Sequence, residues 1–231
     1  ANVKDKQDAL AAGRLMSKFL IRVNRMSSLY ESEVKRTNRI GVGITGIHEF
    51  AFNHFGLTFW DLIDEEKSFD FWSFLAELRR EVERSAVDFA EDTNTAIPHT
   101  FTTCKPSGTI SKVMNCTEGA HLPAMAFYTR WVQYPLEDPA VADHRERGYP
   151  IKDISSQYSG HCVVGFPTKM PIADLMGDKV VTASEVSPED QYEWLRLLEK
   201  HWLGGRGSNN QISYTLKYDP ESVTYSEFSQ M

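Results

Sequence analysis

Thr102-Thr103-Cys104-Lys105-Pro106-Ser107-Gly108-Thr109-Ile110-Ser111-Lys112, followed closely by Thr117-Glu118-Gly119-Ala120-His121-Leu122-Pro123, is the stretch from which the rest of the chain is read. Phe101 to Thr103 is β-prone, Lys105-Pro106-Ser107-Gly108 is turn chemistry, and Ile110, Val113 and Met114 recur at helical spacing. The expectation is a strand, a tight turn and a short helix. Pro106 biases Lys105 toward extended backbone, Gly108 lets another group come close to the main chain, and Ser107 or Thr109 is placed to cap the helix. Such a helix start offers unpaired N–H groups and hydroxyls to an anion, which is a phosphate site in outline. The same residue types also build an ordinary capped turn. No Gly-Lys-Ser/Thr closes the stretch, so it is not a P-loop.

The chain has 231 residues, 41% of them hydrophobic, enough for one sizeable core and one domain or one large piece of a domain. A net charge of −7, with no Lys/Arg block longer than two residues, argues against a surface for nucleic acid or for an anionic membrane. There is no apolar run near the ~18 residues of a membrane span. Ala1-Asn2-Val3-Lys4-Asp5-Lys6 carries no signal-peptide pattern, which leaves a soluble cytoplasmic protein as the expectation. Cys104, Cys116 and Cys162 are odd in number, share no Cys-x-x-Cys spacing and read as reduced, packed thiols. The histidines show no zinc-ligand spacing, and no metal site is expected.

Asp8 to Val23 reads as an amphipathic helix with Ala12, Leu15, Met16, Phe19, Leu20 and Val23 on its packing face. Arg22, Arg25, Lys35, Arg36 and Arg39 form a basic cluster that suits either phosphates or a solvated face. Ile40 to Gly46 reads as a buried strand whose glycines permit close approach, and His48 in the apolar segment after it reads as packed or hydrogen-bonded. Ser68 to Glu91 is the longest helix, with its charges paired on the outer surface. Phe127–Tyr134 and His161–Phe166 are strands stopped by Pro135 and Pro167, and Glu137–Gly148 is a surface helix. Thr168 to Ser187 looks like a surface excursion. Ser187 caps a helix that buries Trp194, Leu195, Leu198 and Trp202, and Gly204-Gly205-Arg206-Gly207 ends it as a turn. Ile212 to Tyr218 alternates as a strand, and Thr224 to Glu227 is a capping box.

Four segments in register resemble the catalytic subunit of ribonucleotide reductases: Asn38-Arg39-Ile40-Gly41-Val42-Gly43-Ile44-Thr45-Gly46, the Lys105–Ser111 loop with Glu118–Pro123, Cys162–Pro167, and Asn209–Thr215. The Lys-Pro-Ser-Gly-Thr wording is similar to the adenosylcobalamin-dependent (class II) branch, and Ile44-Thr45-Gly46-Ile47 leans toward its triphosphate reductases. The element order fits an α/β protein with helices outside a buried sheet. The resemblance implies roughly the second half of the family's ten-stranded α/β barrel, a single partial domain over 1–231 without the finger loop and the C-terminal tail. It also implies that Pro106, Ser107, Gly108, Thr109 and Ser111 hold the substrate's phosphates, with Lys105 adding charge. By resemblance the chemistry replaces the ribose 2′-hydroxyl by hydrogen through a thiyl radical, with adenosylcobalamin as cofactor and a dithiol reductant such as thioredoxin as partner. The family's Asn-x-Cys-x-Glu radical loop is absent here, and none of the three cysteines matches a catalytic one. No catalytic residue is therefore assigned. The radical cysteine is expected on the N-terminal part of the same subunit, without which this piece is inactive and exposes open strand edges and apolar faces. A reductase fed by a diiron partner and a non-catalytic nucleotide-binding or assembly module are the other readings.

Overall fold

The computed structural model describes residues 3–205, 210–221 and 223–230. Ala1 and Asn2, Arg206 and Gly207 of the glycine-rich turn, and Asn209 of the last motif lie outside the described residues. In chain order the helices and strands are α1 (Lys6–Asn24), α2 (Glu31–Thr37), β1 (Val42–Gly43), α3 (Ile47–Phe55), α4 (Phe59–Leu62), α5 (Phe69–Asp92), β2 (Thr102–Thr103), α6 (Gly108–Met114), β3 (Phe127–Pro135), α7 (Pro139–Glu146), β4 (Ile151–Asp153), β5 (His161–Lys169), α8 (Pro171–Met176), α9 (Pro188–Leu198) and α10 (Tyr225–Phe228). No helix among them is long and apolar enough to cross a membrane.

The two long helices α1 and α5 pack along each other, and their closest approach is set by Gly13. A Cβ there would stand 3.0 Å from both Leu78 Cδ1 and Val82 Cγ2. The small side chains on this face decide which side of α1 goes inward. It buries Ala9, Leu10, Gly13, Ser17 and Ile21, which corrects the face expected from sequence. Leu15 and Phe19 remain 69% and 54% exposed, and Met16 and Val23 are exposed beside them. The helix thus carries an apolar stripe wider than this chain covers. Beside that stripe lies an apolar groove of about 380 Å³ between α1, α3 and α6, lined by Ala12, Met16, Ile44, Phe50, Ile110 and Met114 among others. The basic cluster resolves into local pairs: Lys35 with Glu31 and Arg36 with Glu33 within α2, and Arg22 over the ring of Phe89.

β1 and β2 pair in parallel, Val42 with Thr102 and Gly43 with Thr103. The main chain from Asn210 to Ser213 runs along the other side of β2, with a parallel bridge between Cys104 and Ile212. Side chains do much of the work of a ladder here. The Asn210 amide donates to the carbonyls of Ile40 (2.7 Å) and Thr102 (3.1 Å). Its carbonyl accepts from the Thr100 hydroxyl at 3.0 Å. Gly41 is required by the same crowding, since a Cβ would meet Thr103 Cγ2 at 2.9 Å. The strand expected over Ile212–Tyr218 is not formed beyond that bridge. Its backbone bonds go to side chains instead: Thr215 N–H to His121 Nε2, and Lys217 N–H and carbonyl to Gln191. Trp72, Trp194 and Trp202 fill the core between these parallel segments, α5 and α9.

β3, β5 and β4 form a separate antiparallel sheet in that order. Pro167 does not end β5. It pairs opposite Thr129, and the strand continues to Lys169. Residues 168–187 are also no surface excursion: Met170, Ile172, Ala173 and Met176 are buried around α8, and Ala183 and Val186 reach the main core. The apolar spacing was hidden there by intervening Gly, Asp and Thr.

Candidate functional site

The loop Lys105–Ser107 leaves β2 at its C-terminal end and enters α6, as the residue types dictate. Ser107 stands at the N-cap position with φ +55° and ψ +38°, and its side chain caps nothing. Thr109 is inside the helix and exposed. The capping expected of either hydroxyl is therefore absent: Ser107 has left-handed backbone in place of the extended backbone usual for a capping residue. The first-turn N–H groups of Gly108, Thr109 and Ile110 have no intrahelical acceptor, as in any helix start. Lys105 is exposed and Pro106 and Ser107 half-buried. Ser111 differs from the other loop residues. It is fully buried, its N–H donates to Ser107 O at 2.8 Å and its hydroxyl to Gly108 O at 3.1 Å, so it braces the turn from beneath.

Behind the loop lies the Thr117-Glu118-Gly119 turn. Gly119 has φ +53°, and a Cβ there would fall 2.1 Å from the Lys105 carbonyl oxygen. Only glycine fits that contact. Lys112 of α6 pairs with Glu118 at 2.7 Å. The turn is held from the far side by residues near β1: Thr45 Oγ1 donates to Thr117 O at 2.7 Å and accepts from Gly119 N–H at 3.1 Å. Glu49, in the first turn of α3, accepts from Thr117 N–H at 2.7 Å and from its hydroxyl at 2.6 Å. Thr45 stood in the Asn38–Gly46 resemblance without a role, and Glu49 was not singled out in the sequence. The available signal was Glu49 itself, one acid inside the apolar run Ile47–Phe52.

His121 follows, its Nδ1–H donating to Glu118 O at 3.2 Å and Nε2 accepting from Thr215 N–H at 2.8 Å. Its ring stacks on Tyr214 at 4.7 Å, and burial lowers its pKa. Next to it opens a cleft of about 360 Å³, lined by Lys112, Glu118, Tyr128, Arg130 and Lys217 among others.

His48 is packed, as its apolar surroundings in sequence suggested: it lies 5.1 Å from the Trp194 ring and burial pulls its pKa down to about 4. All three cysteines are free and buried. Burial pushes the Cys104 thiol up to about 12, far from thiolate chemistry near neutral pH. Among the described residues no three His, Cys, Asp or Glu side chains gather into a metal-binding cluster.

No family model matches this sequence. It is 26% identical over 96% of its length to a putative adenosylcobalamin-dependent ribonucleoside-triphosphate reductase of Mycobacterium phage D29, of which it covers 33%. It is 28% identical over 93% of its length to the adenosylcobalamin-dependent ribonucleoside-triphosphate reductase of Lactobacillus gasseri, covering 30% of that protein. Its fold matches a crystal structure of a B12-dependent (class II) ribonucleotide reductase with a TM-score of 0.72 over 90% of this chain and 30% of the other, at 21% identity. Likeness to the class II reductases therefore extends across most of this α/β chain, which spans about a third of the length of these curated relatives.

Proposed function

We propose that this chain is the substrate-phosphate segment of the catalytic subunit of an adenosylcobalamin-dependent ribonucleoside-triphosphate reductase, which replaces the ribose 2′-hydroxyl of a ribonucleotide by hydrogen. The observation that carries this reading is a likeness to such reductases running through nearly the whole chain, with the loop between β2 and α6 inside it. In this reading the N–H groups of Gly108 and Thr109 and the hydroxyls of Ser107 and Thr109 donate to phosphate oxygens. Pro106 shapes the loop, Ser111 braces it, and Lys105 contributes charge. The segment binds and orients. It performs no thiol chemistry, because its cysteines are buried and Cys104 resists ionisation.

Adenosylcobalamin supplies the radical in reductases of this kind. The cleft beside the loop, about 360 Å³, suits a nucleotide-sized ligand and is smaller than a corrinoid. The residues of this cleft alone do not fit the cofactor. The cofactor belongs to the assembled subunit in the cytoplasm, together with the N-terminal part that carries the radical cysteine and a dithiol reductant such as thioredoxin.

The test is reconstitution. The chain is combined with the polypeptide that supplies the remaining two thirds of the relatives' length, adenosylcobalamin, a dithiol and a ribonucleoside triphosphate, and deoxynucleotide is measured. Activity that requires both polypeptides, with KM raised in Ser107→Ala and Thr109→Ala, supports the reading. A stable complex without deoxynucleotide formation sinks it in favour of a binding module.

A further inference from the structure

We propose that Glu49 is a positioning residue: it sets the Thr117–Gly119 turn and, through Gly119, the place of the Lys105–Thr109 loop. This rests on the reading of that loop as the phosphate site. Glu49 is only 4% exposed and has no cation within ion-pair distance among the described residues. A buried carboxylate without a counter-ion costs stability unless its oxygens are well bonded. Here both are. Each accepts a short bond from Thr117, and the carboxylate sits in the first turn of α3, where the helix dipole favours negative charge. Core filling alone would be served by an apolar side chain, so the carboxylate's distinctive contribution is to fix Thr117.

From Thr117 the constraint passes forward along named contacts. Gly46 N–H and the Thr45 hydroxyl both donate to Thr117 O, and Thr45 Oγ1 also takes Gly119 N–H. Gly119 in turn lies against the loop entrance. A Cβ on it would be 2.1 Å from Lys105 O and 3.4 Å from Pro106 Cα. On the other flank Cys116 N–H donates to Ser111 O at 3.0 Å. The loop is thus seated between β2 and a turn whose position is dictated from α3. A turn freed from Glu49 would let Lys105 and Pro106 retreat, and the donors of Gly108 and Thr109 would lose their common aim.

The experiment measures amide hydrogen exchange and titration with inorganic triphosphate on the whole chain, comparing wild type with Glu49→Gln, Thr117→Val, Thr117→Ser and Thr109→Pro. The expected result for Glu49→Gln is about tenfold faster exchange at residues 105–112 and about tenfold weaker triphosphate binding, with exchange in α5 unchanged. Thr117→Val reproduces the effect and Thr117→Ser, which keeps the hydroxyl, restores it. Should Glu49→Gln unfold the chain as a whole, the Thr117 pair reads the same link from its other end. Binding that Thr109→Pro weakens but Glu49→Gln leaves equal, or tightens by removing a negative charge, overturns the positioning role alone. Wild-type chain that ignores triphosphate overturns the phosphate reading and this inference with it.

Discussion

The two strand regions of this molecule differ in a way that runs against intuition. β3 and β5 are each nine residues long and paired in regular register throughout, yet β3 lies at the surface with no buried residue and Phe127 at 66% exposure, and only Cys162, Val164 and Gly165 of β5 are buried. β1 and β2 are two residues each, yet Val42 and Thr102, and Cys104 just after β2, are buried. The short pair is held by what surrounds it: Asn210 stands in for ladder bonds, Trp202 Nε1 donates to Thr103 O at 2.8 Å, and Thr102 Oγ1 donates to Trp202 O at 2.9 Å. Ladder length therefore measures regularity and not anchoring. The loop proposed to bind phosphate leaves from the anchored region, where a displacement is transmitted and not absorbed.

The contrast can be broken at several points. Trp194 is fully buried against His48, Phe59 and Trp72, and its Nε1 donates to Ala120 O at 2.9 Å. Trp194→Ala should lower unfolding free energy by about 3–5 kcal/mol in urea titration. A loss near 1 kcal/mol would show that this region is not the anchored one. Acid should act next. His48 has a folded pKa of about 4, well below its ordinary 6.5, chiefly through burial. Its neutral form is the folded one, so stability is full above pH 6.5, falls as pH drops toward 4 and levels below, a loss of about 3 kcal/mol from this group. His121 and His201 shift in the same direction, so the decisive measurement is the difference from His48→Phe, whose profile should be flatter. An identical slope would assign the acid sensitivity elsewhere. The smallest effect belongs to the long strands: Phe127→Ala, exposed on β3, should cost about 0.5 kcal/mol or less. A larger loss, read in the same urea titration, would mean the sheet is bonded into the core more firmly than its exposure indicates.

The helices α1, α5 and α9 were legible because apolar residues recur at three and four, and the Ser187 cap and the Thr224–Glu227 box were legible from local chemistry alone. The inward face of α1 was not. Leu15, Met16 and Phe19 face outward, and between Leu10 and Ile21 the buried face is built from Gly13 and Ser17, which no hydrophobicity pattern marks. Ile212–Tyr218 alternated faithfully, but alternation does not say whether a neighbouring strand is present, and His121 and Gln191 occupy that role. The loop at Lys105–Ser111 was read from turn chemistry and resemblance. The residues that hold it were hidden by distance along the chain, since Glu49 and Thr117 are 68 positions apart.

Among the described residues four non-glycine residues have left-handed backbone, and three of them, Asn38, Asn94 and Asn115, are of the type that tolerates it. Ser107 is the fourth. An engineer screening for heat resistance would be drawn to it first, because Ser107→Asn relieves conformational cost of up to about 1 kcal/mol. If the loop serves the phosphate, melting temperature should rise in that variant while triphosphate affinity falls. A variant that improves both would show that ruggedness and use are not in competition at this position.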